Sequence, residues 1–253
     1  MVEEGAPSRG RWLREVWASS IGKKYVVAVT GTILALYVLV HALGNLKALQ
    51  GGGDEEAPID SYAEWLRTLG EPALPRNFFL WGLRAVLIAA LVLHLVAIYQ
   101  LWRRNRAARP AGHRDTPRIN RSISSRTMTF TGLVVLAFIV FHILQFTTRT
   151  VQIEPIREGE VYVNLYEVFQ EWYFVLLYLV AVALLGFHLR HAMWSVFQTM
   201  GWDRPNRNAS FRRFATGFAI VVSVGFAVIP LAIWTGALPD PSAEALAATG
   251  GGR

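Results

Sequence analysis

The chain contains no cysteine among its 253 residues, and this absence excludes several kinds of redox site. Covalent attachment of c-type haem, ligation of an iron–sulfur cluster and a disulfide framework all require cysteine sulfur. Any such chemistry must therefore belong to a partner chain. The sequence also lacks the H-E-x-x-H pattern that is typical of zinc proteases.

Charged residues are scarce as well: they make up 17% of the chain, whereas 53% is hydrophobic and nine residues are tryptophan. This composition indicates a protein that lies in lipid, and we expect one membrane domain over residues 1–253. The net charge of +7 comes with arginines in loops that border apolar runs. That distribution is typical of membrane orientation, so we expect lipid contacts and no nucleic-acid partner.

Five apolar runs are long enough to cross about 30 Å of hydrocarbon as helices. The first run is too long for a signal-peptide core and has no small-residue cleavage site, so we expect it to remain as a helix. The predicted fold is an all-α integral membrane bundle with transmembrane helices at about residues 25–46, 78–102, 129–146, 172–196 and 214–234. Amphipathic segments at 11–20 and 60–69 fit interfacial helices or loops equally well.

The loops predict the direction of the chain through the membrane. The stretch 103–126 holds eight arginines against the single acid Asp115, and the loop before the fifth span is also rich in arginine. Because basic loops stay in the cytoplasm, we expect these loops and the N-terminus to face the cytoplasm and the C-terminus to lie outside. The chain is then a multi-pass protein of the cell (inner or cytoplasmic) membrane.

Five of the six histidines lie within the spans, where ionisable residues are costly and usually functional; only His113 lies in a loop. His41 and His142 come late in outward-running spans, so we expect them near the outer side. His94 and His188 come late in inward-running spans, so we expect them near the cytoplasmic side. Two pairs at matched depths are what two six-coordinate haems need, because porphyrin iron offers one axial position on each face.

Other interpretations of these residues remain open. A histidine in a span can serve packing alone, and His191 can replace His188 as ligand, contact a haem propionate or act as a polar partner. His188 and His191 share a helix face and could bind zinc, although the sequence shows no third ligand. Arg84 and Arg190 are candidates for propionate partners at the outer and inner haem, or they reach lipid headgroups instead. Four glycines in the spans allow close approach of a helix or of a flat macrocycle: Gly31, Gly44, Gly132 and Gly186.

Several motifs follow one another at the start of the chain and beyond the first span. Residues 20–24 (Ser-Ile-Gly-Lys-Lys), Thr30-Gly31 and 41–46 (His-Ala-Leu-Gly-Asn-Leu) resemble the first helix of the cytochrome b subunit of succinate:quinone oxidoreductases. The similarity continues through residues 62–67, Arg84 with His94, and residues 188–202. The chain is similar to the single-subunit, five-helix, two-haem type over most of its length, least in the C-terminal helix and tail.

The resemblance implies one haem ligand from each of the first four spans. These are His41, His94, His142 and His188, with His188 preferred to His191 because its spacing to Gly201 matches the family pattern. The family resemblance also implies two haem b groups, together with a succinate-oxidising flavoprotein and an iron–sulfur subunit on the cytoplasmic face. Electrons would pass from the iron–sulfur subunit through the inner and outer haems to a quinone, expected to be menaquinone.

The resemblance thus implies an electron-transfer subunit of a succinate dehydrogenase or fumarate reductase, an enzyme of the respiratory chain and the tricarboxylic acid cycle. The physiological direction, the oligomeric state and further small subunits stay open. So does the alternative of a di-haem anchor for another respiratory dehydrogenase, such as a formate dehydrogenase or hydrogenase. A haem-free membrane scaffold, transporter or simple anchor is the alternative from a different class.

The quinone site is the least defined feature. A quinone needs an apolar slot with a few polar groups for its carbonyl oxygens. The candidates near the outer haem are Tyr62, Glu64 and Trp65, and those near the inner end are Trp17 and Ser20. Each of these residues can equally be an interfacial anchor.

Overall fold

The computed structural model describes residues 9–52, 56–108, 123–151 and 157–241, and in these residues it is helical with no strand. Five helices are long and apolar enough to cross a membrane: Ser20–Gln50, Phe78–Ala107, Thr127–Thr147, Trp172–Thr199 and Asn208–Trp234. The all-α class and the five spans are therefore confirmed, and the chain is a multi-pass membrane protein. His113 and most of the arginine-rich loop around it lie outside the described residues.

Eight α-helices, one 3₁₀ turn and one π turn make up the described fold. They are α1 (Arg9–Ala18), α2 (Ser20–Asn45), a 3₁₀ turn (Leu46–Gln50), α3 (Pro58–Thr68), α4 (Phe78–Ala107), α5 (Ile123–His142), a π turn (Ile143–Thr147), α6 (Val161–Gln170), α7 (Trp172–Thr199) and α8 (Asn208–Trp234). Both amphipathic segments form helices, α1 and α3. The short helix α6 lies between the third and fourth predicted spans, where the sequence predicts no helix.

Local hydrogen bonds determine where the long helices begin and end. At the start of α2, the Ser19 hydroxyl oxygen accepts the Gly22 N–H at 2.8 Å. After α7, Gly201 has φ +72°, and the Trp202 N–H donates to the Phe197 carbonyl at 3.0 Å, which is a Schellman end. The Phe197 and Trp202 rings pack at 5.9 Å beside it. Both ends lie outside the apolar segments that predicted the helices, because α2 begins at Ser20 rather than 25 and α7 ends at Thr199 rather than 196.

The long helices form a bundle in which two helices are central. Helix α2 packs along α4 and α7, α7 also packs along α5, and α8 lies against α7 and α2. Among the described residues, α4 has no extended packing against α5 or α7, and α2 has none against α5. The order around the bundle is therefore α4, α2, α7, α5. Helices α2 and α5 are diagonal to each other, and so are α4 and α7.

Small residues permit the closest helix contacts. A Cβ added to Gly186 of α7 would lie 2.5 Å from the Ser223 Oγ of α8, so this glycine serves helix packing. Beside it, Ala35, Ala219 and Val222 are buried where α2, α7 and α8 meet. Such residues bring helices together in lipid, where apolar burial alone gives no driving force.

One end of the bundle, which we call the basic end, carries Lys23, Arg104, Arg204 and Arg212. Here α1 is held by two cations. The buried Lys23 ammonium donates to the Trp17 carbonyl, and the Arg104 Nη1 donates to the Ala18 carbonyl at 2.8 Å. The last carbonyls of a helix lack partners within the helix, so these bonds fix α1 to α2 and α4.

The opposite end, which we call the cap end, consists of α3, the 3₁₀ turn and α6. The buried Asp60 carboxylate of α3 accepts the backbone N–H of Tyr162 in the first turn of α6 at 3.0 Å. The Tyr162 hydroxyl donates to the Pro239 carbonyl at 2.8 Å, which joins the segment after α8 to the same end. These bonds close the bundle above the ends of α2 and α5.

Candidate functional site

His41 and His142 meet inside the bundle near the cap end. Their ring centroids are 6.0 Å apart and their planes are inclined by 75°. Two imidazoles that bind one iron from opposite porphyrin faces have centroids about 6 Å apart, since metal–nitrogen bonds are about 2 Å long. The two residues belong to the diagonal helices α2 and α5, so the structure brings together the pair predicted for the outer haem.

His94 and His188 lie against two glycines of the facing helices. A Cβ added to Gly31 would be 3.1 Å from the His94 Cε1, and one added to Gly132 would be 3.2 Å from the His188 Cε1. The His94 and His188 rings are also within electrostatic reach of each other. Gly31 precedes His41 of the same helix by ten residues, and Gly132 precedes His142 by ten residues as well. Ten residues are about 15 Å along a helix. The histidines therefore form two levels, an inner and an outer one.

Helices α2 and α5 build these levels from the same short pattern, which the sequence analysis missed. Residues 30–41 and 131–142 both have the form Thr-Gly, five residues, an aromatic residue, three residues and His. Tyr37 and Phe138, each one turn before its histidine, stack on the imidazole at 5.4 Å and 5.9 Å. A search for internal repeats would have found this pattern, because its spacing is identical in the two spans.

The hydrogen bonds of His94 determine which of its ring nitrogens carries a proton. The Thr30 hydroxyl donates to the Val26 carbonyl at 2.6 Å, and its oxygen lies 3.0 Å from the His94 Nδ1. Because the hydroxyl hydrogen is engaged, Nδ1 is the donor to Thr30. A neutral imidazole with a protonated Nδ1 has its lone pair on Nε2, the form that binds metals.

His142 is held in a similar way, by Tyr178 of α7. The Tyr178 hydroxyl donates to the Gln145 Oε1 at 2.7 Å, and its oxygen lies 3.3 Å from the His142 Nδ1. Tyr178 is 8% exposed and Gln145 2% exposed, so this network is shielded from solvent. Neither residue was identified from the sequence, because a tyrosine and a glutamine at the end of a span suggest interfacial anchors.

His188 and His41 have weaker partners. The His188 ring is close to the Met128 carbonyl, but its buried Nδ1 makes no well-formed hydrogen bond in the described structure. The Asn45 Nδ2 donates to the His41 carbonyl at 2.7 Å and lies 3.4 Å from the His41 Nδ1. Among the described residues, His188 therefore has no Nδ1 partner comparable to Thr30 at His94 or Tyr178 at His142.

One cation and two phenols lie near the outer level. Arg84 and Tyr62 are both within electrostatic reach of the Tyr37 hydroxyl, and Tyr37 stacks on His41. The Tyr62 ring lies against Gly44, where an added Cβ would be 2.8 Å from its Cε1. This environment suits the carboxylates of a porphyrin or the carbonyl oxygens of a quinone.

The other predicted site residues of the cap end point away from this centre. Glu64 forms an ion pair with Arg76 at 2.7 Å and approaches Arg67 at 3.8 Å. Trp65 is 54% exposed and stacks on Tyr62 at 6.0 Å. Of the three outer quinone candidates, Tyr62 is therefore the one that the structure places beside α2.

At the basic end, the predicted residues are engaged by other parts of the protein. The Trp17 ring lies under the Lys23 ammonium at 5.4 Å, and the Ser20 Oγ is 3.4 Å from the Arg104 Nη1. Ser20 precedes Thr30 by ten residues of α2, so it lies about 15 Å from the inner level.

Arg190 and His191 lie on α7 beyond the inner level. The exposed Arg190 donates through Nε to the Thr216 Oγ1 of α8 at 3.1 Å, and His191 is within its electrostatic reach. His191 and His188 are not joined by a third metal ligand: no group of three histidine, cysteine, aspartate or glutamate residues occurs among the described residues.

Comparisons with protein-family models, with curated proteins and with solved structures gave no match for this chain. The chemistry of the site is therefore inferred from its own geometry. Four imidazoles, in two pairs on diagonal helices, fit two haems that are each bound by two histidines. His41 and His142 would hold one of them, and His94 and His188 would hold the other.

Proposed function

We propose that the chain is the cytochrome b membrane-anchor subunit of a succinate:quinone oxidoreductase and transfers electrons from an iron–sulfur subunit to a quinone, with menaquinone as the expected acceptor. The observation that carries the proposal is the pair of imidazoles 6.0 Å apart on diagonal helices, together with the second pair one level below. When bound, two b haems supply the one-electron redox centres that this transfer requires.

The residues of the chain have distinct tasks in this proposal. The four histidines hold the two centres, and the glycines beside His94 and His188 leave room for their rings. Arg84 and Tyr62 supply a positive charge and a hydroxyl near the outer level, where we place the quinone. Trp17 and Ser20 are the alternative quinone residues, at the basic end.

The basic end faces the cytoplasm in this proposal, and the flavoprotein and iron–sulfur subunits bind there. Arginines at both edges of this end support the assignment. The Arg212 guanidinium lies over the Trp194 ring at 4.5 Å, and Arg103 lies over Tyr99 at 5.9 Å. Stacked arginine and aromatic side chains are typical of a membrane interface that carries basic loops.

The decisive measurement is the dithionite-reduced minus oxidised spectrum of the purified complex, with haem and protein quantified. We expect two low-spin b centres per chain in the wild type. His94→Ala and His142→Ala should each remove one centre, and not the same one. His191→Ala is the matched control and should keep both centres. A colourless, folded wild type, or the loss of the same centre in both variants, contradicts the proposal.

Copurification separates the proposal from its closest rival. A partner with covalently bound flavin, and reduction of the b centres by succinate, are expected. Reduction by formate or hydrogen instead of succinate would assign the chain to another respiratory dehydrogenase.

A further inference from the structure

A π turn directly follows His142. Residues Ile143–Thr147 form this turn, and the Thr148 N–H donates to the Ile143 carbonyl at 2.9 Å, five residues back. Single π turns are rare in helices and are frequently found at functional sites. Here the turn places the Gln145 amide inside the bundle, where it is 2% exposed, although it follows an apolar span.

Gln145 accepts a hydrogen bond from the hydroxyl of Tyr178, and the ring of this tyrosine is held by other aromatic rings. Phe138, Phe169 and Phe146 surround Tyr178 with centroid distances of 4.9, 5.1 and 6.5 Å. This packing restricts the ring, so its hydroxyl stays between Gln145 and His142. The Tyr178 hydroxyl has a single hydrogen, which it donates in a hydrogen bond to the Gln145 Oε1. The remaining bond, to the His142 Nδ1, therefore has the histidine as its donor.

We propose that Tyr178 and Gln145 are positioning residues that keep His142 in the tautomer with a protonated Nδ1 and thereby present its Nε2 to the iron of the outer haem. The inference rests on the proposed function. A ligating imidazole whose other nitrogen donates a hydrogen bond is more basic, and a more basic ligand stabilises the oxidised metal. Tyr178 thus lowers the reduction potential of the outer centre, and Thr30 does the same at the inner centre through His94.

Redox titration of the two b centres in the intact complex tests this assignment. We expect Tyr178→Phe to keep two haems per chain and to raise the potential of one centre only. Gln145→Leu should raise the same centre, while Thr30→Val should raise the other one. Tyr166→Phe is the matched control and should move neither potential, because this α6 hydroxyl bonds Gln170 and its ring packs on Tyr162 at 6.3 Å.

Unchanged potentials in Tyr178→Phe, or a shift of the same centre in Tyr178→Phe and Thr30→Val, would overturn the inference. Nitrogen NMR of the ¹⁵N-histidine-labelled full-length chain without haem gives a second readout. We expect a protonated Nδ1 at His142 in the wild type and a mixture of tautomers in Tyr178→Phe. If the NMR result is as expected but the wild type binds no haem, the proposed function fails, while the positioning roles of Tyr178 and Gln145 stand. If the wild type binds haem but Tyr178→Phe does not change the His142 tautomer, only the positioning roles fail.

Discussion

At the scale of single residues, the inner level depends on two positions without a side chain. Gly31 and Gly132 lie in equivalent places of α2 and α5, and a Cβ added to either would meet the Cε1 of one imidazole. A methyl group at 3.1 or 3.2 Å from a ring carbon is tighter than an ordinary van der Waals contact. The His94 ring cannot move away freely, because its Nδ1 is bonded to Thr30.

We therefore expect Gly31→Val and Gly132→Val to disturb one and the same centre. Overpacking should displace the ring in either variant, so haem content should fall from about two to about one per chain. Gly82→Val is the matched control, since a Cβ at this α4 glycine meets nothing within 4 Å. Haem quantification with redox titration identifies the centre that is lost. Loss of different centres in the two variants would show that His94 and His188 do not hold the same centre.

At the scale of helices, the apolar runs predicted the number and order of spans but not their ends. Helix α4 continues to Ala107, beyond the predicted end at 102, because its arginines prolong the helix past the lipid-facing segment. Helix α2 begins at Ser20 rather than 25, where Ser19 caps it. An apolar run indicates which part of a helix lies in lipid, whereas backbone hydrogen bonds and caps determine the residue at which the helix ends.

The histidines of the site were predictable for the same reason, since ionisable side chains in an apolar run stand out. Their neighbours were not. Helix α6 was missed because its buried face becomes apparent only when it packs on α3, α7 and α8. Gln145 and Tyr178 were missed because a π turn, which has no clear sequence signal, brings them together.

Helices α3 and α6 are joined through Asp60, and this contact predicts a pH dependence. The carboxylate is 8% exposed, and burial raises the pKa of Asp60, while the N–H groups of Val161 and Tyr162 and the start of α6 favour its charged form. Glu56 and Glu160 act in the same direction as burial. The raised pKa means that the folded chain binds the proton more tightly than the unfolded chain. The contribution of Asp60 is thus greatest below its ordinary pKa of 3.8 and falls as the pH rises through the folded-state value.

Asp60→Asn keeps an oxygen acceptor for α6 and removes the charge. At pH 7 we expect its thermal midpoint to exceed that of the wild type, by roughly 2–4 °C for each kcal/mol gained in the free energy of unfolding. The difference should vanish near pH 3. Asp60→Ala removes the acceptor and should cost about 0.5–2 kcal/mol near pH 3, and less at pH 7, where the wild type has lost the contribution of the protonated carboxyl. Circular dichroism melts in detergent measure both effects. An Asp60→Asn chain less stable than the wild type at pH 7 would show that the helix dipole outweighs burial.

At the scale of the whole molecule, the two ends of the bundle differ in chemistry, and the two histidine levels lie between them. The levels are separated by about 15 Å, roughly half of the hydrocarbon thickness. A charge that crosses the full membrane changes in energy by about 2.3 kcal/mol per 100 mV. The energy of an electron that moves from the basic end to the cap end therefore changes by a substantial part of this amount. Whether the energy rises or falls depends on the orientation of the chain in the membrane.

Orientation can be measured directly because the chain has no cysteine of its own. Ser61→Cys in α3 and Ser210→Cys in α8 are a matched pair, since both serines are exposed and lie near helix starts at opposite ends. With the basic end in the cytoplasm, a membrane-impermeant maleimide should label Ser61→Cys in intact cells and leave Ser210→Cys unlabelled. Both variants should react once detergent dissolves the membrane.

The reverse labelling would place α3 and α6 in the cytoplasm together with any soluble partner. Electrons from that partner would then enter at the outer level and move toward the basic end. With the expected labelling, the proposed electron transfer would start on the negatively charged side of an energised membrane, and the potential would assist transfer to the quinone. The same four histidines would thus serve an uphill reduction of menaquinone in one orientation and be opposed by the potential in the other.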